Sequence, residues 1–536
     1  MLQIEIFKNN IEKCNINEIT KSGKYLIKYF FIYEVKNNDV YKEIEEYSSI
    51  ISEINYEIII KIPILYLLYC ILLRHTGKFN ELEKLIEKYN TLQRENIDNL
   101  VFFDSTILLL KAYIDINKHK YKKALEKLLL ALKNTDLYSE EDLLLSINYN
   151  IARVHYYLFN ITESLVYYKK SEYYIITKNS NSLGLYLRVK IDIISCIFMK
   201  NELNNCFNEL NKLKIFINNN KLDNSKSIIY YYDFLVKIYF YRNKKEWLFE
   251  CLDKLIFLFD KSFMLSTCMV YINLAKYLIL LNEFEKAKII IDKIETYFKL
   301  KKVPERIRMF LYLLNFILAR KLNQKNEYNA WFKQLVSIAD NEDYYIEAGV
   351  SIVYAYFFLE CNNIKEAERI YMKTNEFFSQ KDCELFKFKL ELLKIAIDYK
   401  KGDTFKSRLN LKEKLFFSQK DSNIGIYLES SDIIISMIYE IYNESINKKT
   451  IIEIEYLKQI IDIFESNLKN KINFTEKEIN ILKLVDLGLT NKEIANKLFI
   501  SINTLKTHIK TINTKLHTDN KEDALIKAKD YFGGII

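Results

Sequence analysis

Apolar residues recur at intervals of three and four along almost the whole chain, the pattern of helices that each bury one stripe. Before about residue 420 a longer rhythm is laid over it. A small residue is followed twelve positions later by a second: Ala112 and Ala124, Ala152 and Ser164, Ala275 and Ala287, Ala355 and Ala367. Between them lies a turn, and three positions before the second marker stands Tyr121, Ile161, Phe284 or Ile364. Each copy predicts a helical hairpin, because antiparallel helices approach closely only where a small side chain meets the neighbouring backbone. Weaker copies surround Cys70 and Phe79, Leu203 and Cys206, Trp247, Ala319 and Tyr328, and Ala396 and Phe405. The period is about 40 residues, so about nine hairpins stack.

From Phe474 the pattern changes to four short helices. Thr475 with Glu478 and Thr490 with Glu493 are capping boxes, and Ser501 opens a third helical pattern. The apolar positions are Ile479, Leu482 and Val485, then Ile494, Ala495 and Leu498, then Leu505, Ile509, Ile512 and Leu516. Gly488 ends the first helix, and Asn520 caps a fourth through Ala524, Leu525 and Ala528. Charge then assigns the exposed face of the third helix. Between Ile494 and Thr518 stand Lys497, Lys506, Lys510 and Lys515, with no Asp or Glu. Lys506 and Lys510 lie one turn apart with Thr507 beside them, opposite the apolar stripe. Such a helix fits the major groove, where lysine donates to guanine and threonine meets thymine or a base edge. Asn491, Asn503, Thr504 and Lys515, at helix ends, are placed for phosphate.

The stretch FTEKEINILKLVDLGLTNKEIANKLFISINTLKTHIKTINTKL resembles the LuxR-type DNA-binding domain of bacterial regulators. The matching features are Thr475 and Glu478, Gly488 and Leu489, Asn491 to Ala495, Ser501, Thr504 to His508, Ile512, Lys515 and Leu516. The resemblance implies a transcription regulator that reads bases through Lys506, Thr507 and Lys510. It also implies pairing of two domains on double-stranded DNA through the fourth helix, around Ala524, Lys527 and Ala528. Leu505, His517 and Lys521 depart from the usual Val, Gly and Arg; only His517 matters physically, if that turn needs a positive φ.

The earlier hairpins resemble the tetratricopeptide repeat over roughly residues 60 to 415, with a longer period and without its terminal proline. That resemblance implies a superhelix whose concave wall binds a peptide or a partner protein. Tyr113, Arg153, Lys276, Arg320 and Tyr356, each following a first marker, are the candidates for that wall, and its Arg and Lys suit an acidic segment. The alternative is that these are single exposed residues on a solenoid. The abundant Tyr and Phe belong to repeat core.

Composition narrows the classes. In 536 residues there are nine Gly and two Pro, so turns are short and made by Asn, Asp and Lys, and the fold class is all-α. The expected order is an N-terminal helical cap (1–60), the repeat solenoid (61–420), its terminal helices (421–466), a linker at 467–473 (NLKNKIN), and the helix-turn-helix domain (474–536). Eight scattered Cys without a CxxC pair and five unclustered His indicate neither a disulfide frame nor a metal site, and point to a reducing cytosol. The N-terminus is not a signal peptide, and the longest apolar run, Ile62 to Leu73, is too short to span a bilayer. A net charge of +9 spread along the chain does not make the whole surface a polyanion binder. There is no phosphate-binding GxxxxGK[ST] loop, no βαβ alternation and no nucleophile with a neighbouring base, so no enzyme and no cofactor are expected. Three readings follow. The first is a cytoplasmic regulator whose repeats bind a peptide or protein signal and which pairs as a homodimer on DNA. The second is a repeat scaffold with secondary DNA contact, against which Lys506 and Lys510 count. The third is a sigma-factor relative, which lacks a visible module here for opening the duplex.

Overall fold

A computed structural model describes residues 2–532 apart from 14, 33–37, 92–99, 136–140, 178–182, 225–226, 263–266, 301–304, 323, 339–343, 447–450, 472–473, 517 and 519. Among the described residues there are helices and turns and no strand. Among the described residues, nine consecutive helical hairpins follow one another along the chain as repeats of a solenoid type. They pair Pro63–His75 with Phe79–Glu87, Leu100–Asn117 with Tyr121–Thr135, Glu141–Tyr157 with Ile161–Thr177, and Leu183–Met199 with Leu203–Asn219. Then come Ile228–Tyr241 with Lys245–Ser262, Cys268–Leu280 with Phe284–Leu300, Glu305–Lys321 with Lys325–Ile338, Tyr344–Glu360 with Ile364–Ser379, and Glu384–Lys400 with Thr404–Gln419.

The small-residue rhythm is the hinge of these hairpins. All eight markers are fully buried or nearly so, and the aromatic or aliphatic residue three before each second marker is the first residue of the second helix. In one pair the contact is a hydrogen bond: Ser164 Oγ donates to the Ala152 carbonyl at 2.8 Å. Cys206 Sγ reaches the Ile194 carbonyl across the same twelve-residue interval, so the fourth hairpin uses the device with a bulkier first partner. Eight turns share one conformation: Gly77, His119, Phe159, Asn201, Asn243, Asn282, Asn362 and Gly402 have φ between 52° and 100°, each two residues before a second helix. The next residue's amide bonds back five positions, at 2.7–3.3 Å, satisfying a carbonyl the helix end leaves open. Asn tolerates this left-handed backbone better than most residues, which is how a glycine-poor chain makes so many tight turns.

The chain divides into two compact units. The first holds Met1–Tyr239, Lys244–Tyr271 and Val336–Lys394. There the helices Ile16–Ile32 and Asn38–Ser52 pack on Pro63–His75, the apolar run now seen as a buried helix. The eighth hairpin's end also meets the third hairpin's turn. Phe159 is fully buried among Phe378, Phe386 and Phe377, at ring separations of 4.8, 5.3 and 6.0 Å. A bulky side chain at φ 58° is strained, and that aromatic packing holds it there. Beside it Asp382 accepts the first two amides of the helix Ile161–Thr177, at 2.5 and 2.6 Å, an N-terminal cap supplied from 221 residues away. Burial by itself raises the Asp382 carboxyl, but the hydrogen bonds from Thr162 and Ile161 prevail and hold it below the usual carboxylate range. Asp382→Ala should therefore lower stability by about 1–2 kcal/mol. Because the folded value is depressed, the wild-type advantage is complete above the unfolded carboxyl value and disappears as pH falls through the folded one. Thermal melts of both proteins from pH 7 to pH 3 check this; parallel curves would leave the cap without effect.

The second unit holds Phe240–Asn243, Ile272–Leu335 and the chain from Ile395 onward. In it, helices Gly425–Leu428, Asp432–Ile446 and Ile454–Lys471 follow the ninth hairpin. The last of these helices runs through Lys471, over most of the stretch 467–473 expected as a linker, because the polar run NLKNK has no residue that breaks a helix.

Candidate nucleic-acid interface

Four helices, Glu476–Asp486, Asn491–Lys497, Ile502–Leu516 and Lys521–Phe532, enclose a small core of Ile481, Leu482, Val485, Ile494, Ala495, Leu505, Ile512, Ala524 and Ala528. Ile481 takes the central place in the first helix, with Ile479 only half-buried. Both capping boxes are closed. Thr475 and Thr490 each accept the amide of the glutamate three residues on, at 3.3 and 3.4 Å, and donate their own amides to its carboxylate, at 2.6 and 2.8 Å. Ser501 Oγ accepts the Thr504 amide at 3.0 Å, and Asn520 Oδ1 accepts that of Asp523 at 2.7 Å. Gly488 closes the first helix at φ 72°. The turn into the third helix is made by Phe499 at φ 53°, 96% exposed, a left-handed residue that nothing in its chemistry advertises.

These caps fix the third helix so that Leu505 and Ile512 face the core while Asn503, Thr504, Lys506, Thr507 and Lys510 face solvent. Thr507 is exposed and donates its hydroxyl proton to the Asn503 carbonyl at 3.1 Å. Asn491, at the start of the second helix, has its side-chain oxygen buried without a hydrogen-bond partner among the described residues.

Three assignments change. Lys515 is not held out for phosphate: its ammonium bonds Glu478 at 2.7 Å and lies 5.6 Å from the Phe474 ring centroid. Burial alone raises the Glu478 carboxyl, but Lys515 and the bonds from Thr475 overcome that and keep it below the usual range. One carboxylate thus closes the first helix's cap and ties it to the third helix's end. Ala524 and Ala528 do not form an outward pairing face, because both are 0% exposed within the domain's own core; the side chains of Lys527 and His517 lie outside the described residues.

The five wall candidates fall in different surroundings. Tyr113 and Tyr356 are buried, contrary to the expectation of a wall lining. Tyr113 accepts from Asn150 Nδ2 at 2.7 Å beneath the Arg74 guanidinium, and the Tyr356 hydroxyl is enclosed without a partner among the described residues. Following a small interhelical marker puts a residue partly inside the next interface. Lys276 pairs with Glu429 at 2.5 Å. Arg153 and Arg320 are half-exposed, Arg153 bonding Asn150 at 3.2 Å and Arg320 lying over Phe316. Sequence reasoning missed a polar network on neighbouring first helices of the first unit. There Tyr149 donates to Asp192 at 2.8 Å, Arg188 bonds the same carboxylate at 3.3 Å, and Tyr156 meets Ser195 at 2.8 Å. Its signal was present: Arg188 and Asp192 interrupt an otherwise apolar helix, LGLYLRVKIDIISCIFM.

The family model of the bacterial regulatory proteins, luxR family, matches residues 472–528. Over 108 residues the chain is 31% identical to the response regulator protein VraR of Staphylococcus saprophyticus, covering 20% of this chain and 51% of VraR. Over 56 residues it is 45% identical to the transcriptional regulatory protein LiaR of Bacillus subtilis, covering 10% of this chain and 26% of LiaR. The chain therefore spans about half the length of the first relative and about a quarter of the second. Two solved structures are similar over most of the chain. NprR in complex with its cognate peptide NprX has a TM-score of 0.46 at 15% identity, over 70% of this chain and 97% of that one. A Rap protein complexed with competence and sporulation factor has a TM-score of 0.49 at 10% identity, over 71% and 97%. Residues 472–528 belong to a helix-turn-helix domain of the luxR family of bacterial regulatory proteins, carried at the end of a solenoid of helical hairpins.

Proposed function

We propose that the protein is a cytoplasmic, sequence-specific DNA-binding transcription regulator whose solenoid receives a peptide or protein signal and controls the helix-turn-helix domain. The observation that carries this reading is the outward, acid-free face of the third helix, with Lys506, Thr507 and Lys510 on a helix fixed by caps and core. In the major groove these three read bases, while Asn491, Asn503 and Thr504 position the domain on phosphate. One domain of this size buries little DNA surface, so affinity comes from two domains on two half-sites. Among the described residues no helix is long and apolar enough to cross a membrane.

The signal's entry is proposed for the first helices of the solenoid, at the half-exposed Arg153 and the neighbouring Arg188–Asp192 network, whose charged groups suit a polar peptide.

Selection from a random duplex library with the full chain tests the DNA reading: a motif of two half-sites is the expected product, and failure to enrich any motif would refute sequence-specific binding. Binding to the selected site should weaken with salt, log K falling against log salt by about 0.9 for each phosphate charge neutralised. A flat response would remove phosphate anchoring.

A further inference from the structure

Within the second unit, a short segment after the ninth hairpin is inserted against helices far earlier in the chain. Ile424 donates its amide to the Tyr241 carbonyl at 2.8 Å. A β-carbon on Gly425 would stand 2.7 Å from the Tyr241 α-carbon and 3.0 Å from the Phe240 ring, so only glycine fits. At the far end of the segment the Glu429 carboxylate, 8% exposed, accepts the Tyr241 hydroxyl at 2.6 Å and the Lys276 ammonium at 2.5 Å. On its other side the segment grips the helix Ile454–Lys471. The Tyr427 hydroxyl meets Ser418 Oγ at 2.6 Å, Ser418 meets the Tyr456 hydroxyl at 2.9 Å, and Tyr456 donates to the Asn423 carbonyl at 2.8 Å. The helix carrying Tyr456 packs in turn on Lys521–Phe532, the fourth helix of the luxR-family domain.

We propose that this Glu429 clasp couples the solenoid to the DNA-binding domain: closed, it seats Ile454–Lys471 on the fourth helix, and opening at Lys276 releases that seat. Mere packing would be served by apolar side chains. Here a nearly enclosed carboxylate takes a charged hydrogen bond from a lysine that is 36% exposed, so a group that engages Lys276 from solvent removes one partner of a largely buried ion pair, a loss that is disfavoured. An acidic group on a bound partner is the chemistry that competes for Lys276. While the clasp holds, part of the fourth helix's surface is occupied by the protein's own chain and is withheld from a second domain. This inference rests on the regulator reading above for its effect on DNA, but not for its effect on the helices.

The test uses the full chain, Glu429→Gln and Gly425→Ala, with two readouts. Hydrogen exchange should quicken at least tenfold in both Ile454–Lys471 and Lys521–Phe532, while exchange in the first unit stays unchanged. Affinity for a duplex with two selected half-sites should rise at least threefold, with affinity for a single half-site unchanged. If exchange quickens only around Ile424–Glu429, the clasp is local packing and the coupling is overturned. Should Gly425→Ala lose helical content, Glu429→Gln, which preserves side-chain size, decides alone; should both unfold, Lys276→Met decides, since it leaves Glu429 its tyrosine partner, and unchanged exchange in that variant overturns the coupling. If the wild type binds no DNA, the regulator reading fails, while the exchange result still decides the coupling.

Discussion

With Lys506 and Lys510 both changed to alanine, the protein should lose its preference among DNA sequences and keep its helical content. Both side chains are exposed on the third helix, and the residues that hold that helix in place, Leu505 and Ile512, are on its other face. Each base contact contributes about 1–3 kcal/mol of discrimination, so losing two should compress the ratio of specific to non-specific affinity by about thirtyfold or more. Competition titrations with the selected duplex and a scrambled one, alongside circular dichroism, measure both effects. A variant that keeps its discrimination would move base reading elsewhere, and one that loses its helices would show that these lysines are structural.

Glu478→Ala should unfold or severely loosen the helix-turn-helix domain. The change opens the cap of the first helix and removes the ion pair with Lys515, at a site where the carboxylate side chain is only 3% exposed. Losing the cap costs about 1 kcal/mol and losing the charged hydrogen bond about 1.5–3 kcal/mol, together a large share of the stability of a domain this small. The pH dependence carries a definite sign. The Glu478 carboxyl lies below its ordinary value when folded, so its stabilisation is complete above the unfolded carboxyl value of about 4.3 and disappears as pH falls through the lower folded one. Domain melting followed from pH 7 to pH 3 should slope downward in acid for the wild type and be flatter for Glu478→Gln. Equal melting of wild type and Glu478→Ala would mean that the pair with Lys515 contributes nothing.

What was legible in the sequence is what short spacing encodes. Capping boxes act over three residues and hairpin markers over twelve, and both stand where the pattern put them. The outward face of the third helix followed from the same local geometry. What was misread depends on contacts between distant residues. Lys515 looked like a free cation until Glu478, 37 residues away, took it. Ala524 and Ala528 are small enough for either a partner's surface or a core, and periodicity alone does not choose between them. Tyr113 and Tyr356 sit one residue past a marker, where the surrounding helices rather than solvent enclose the ring. Neither the cap that Asp382 supplies nor the clasp at Glu429 has a signature in its own neighbourhood, because each joins segments that are unrelated in sequence.

The burial of Phe159 against the eighth hairpin bears on how the protein is born. Solenoids ordinarily fold as a one-dimensional array, each repeat needing only its neighbours. Here the third repeat keeps a phenyl ring without its cover until Phe378 and Phe386 leave the ribosome, more than two hundred residues later. At about 5–20 residues per second that is a wait of roughly ten seconds or longer. During translation that aromatic packing is therefore incomplete until the later segment is made, and a truncation before Phe378 would remove it for good.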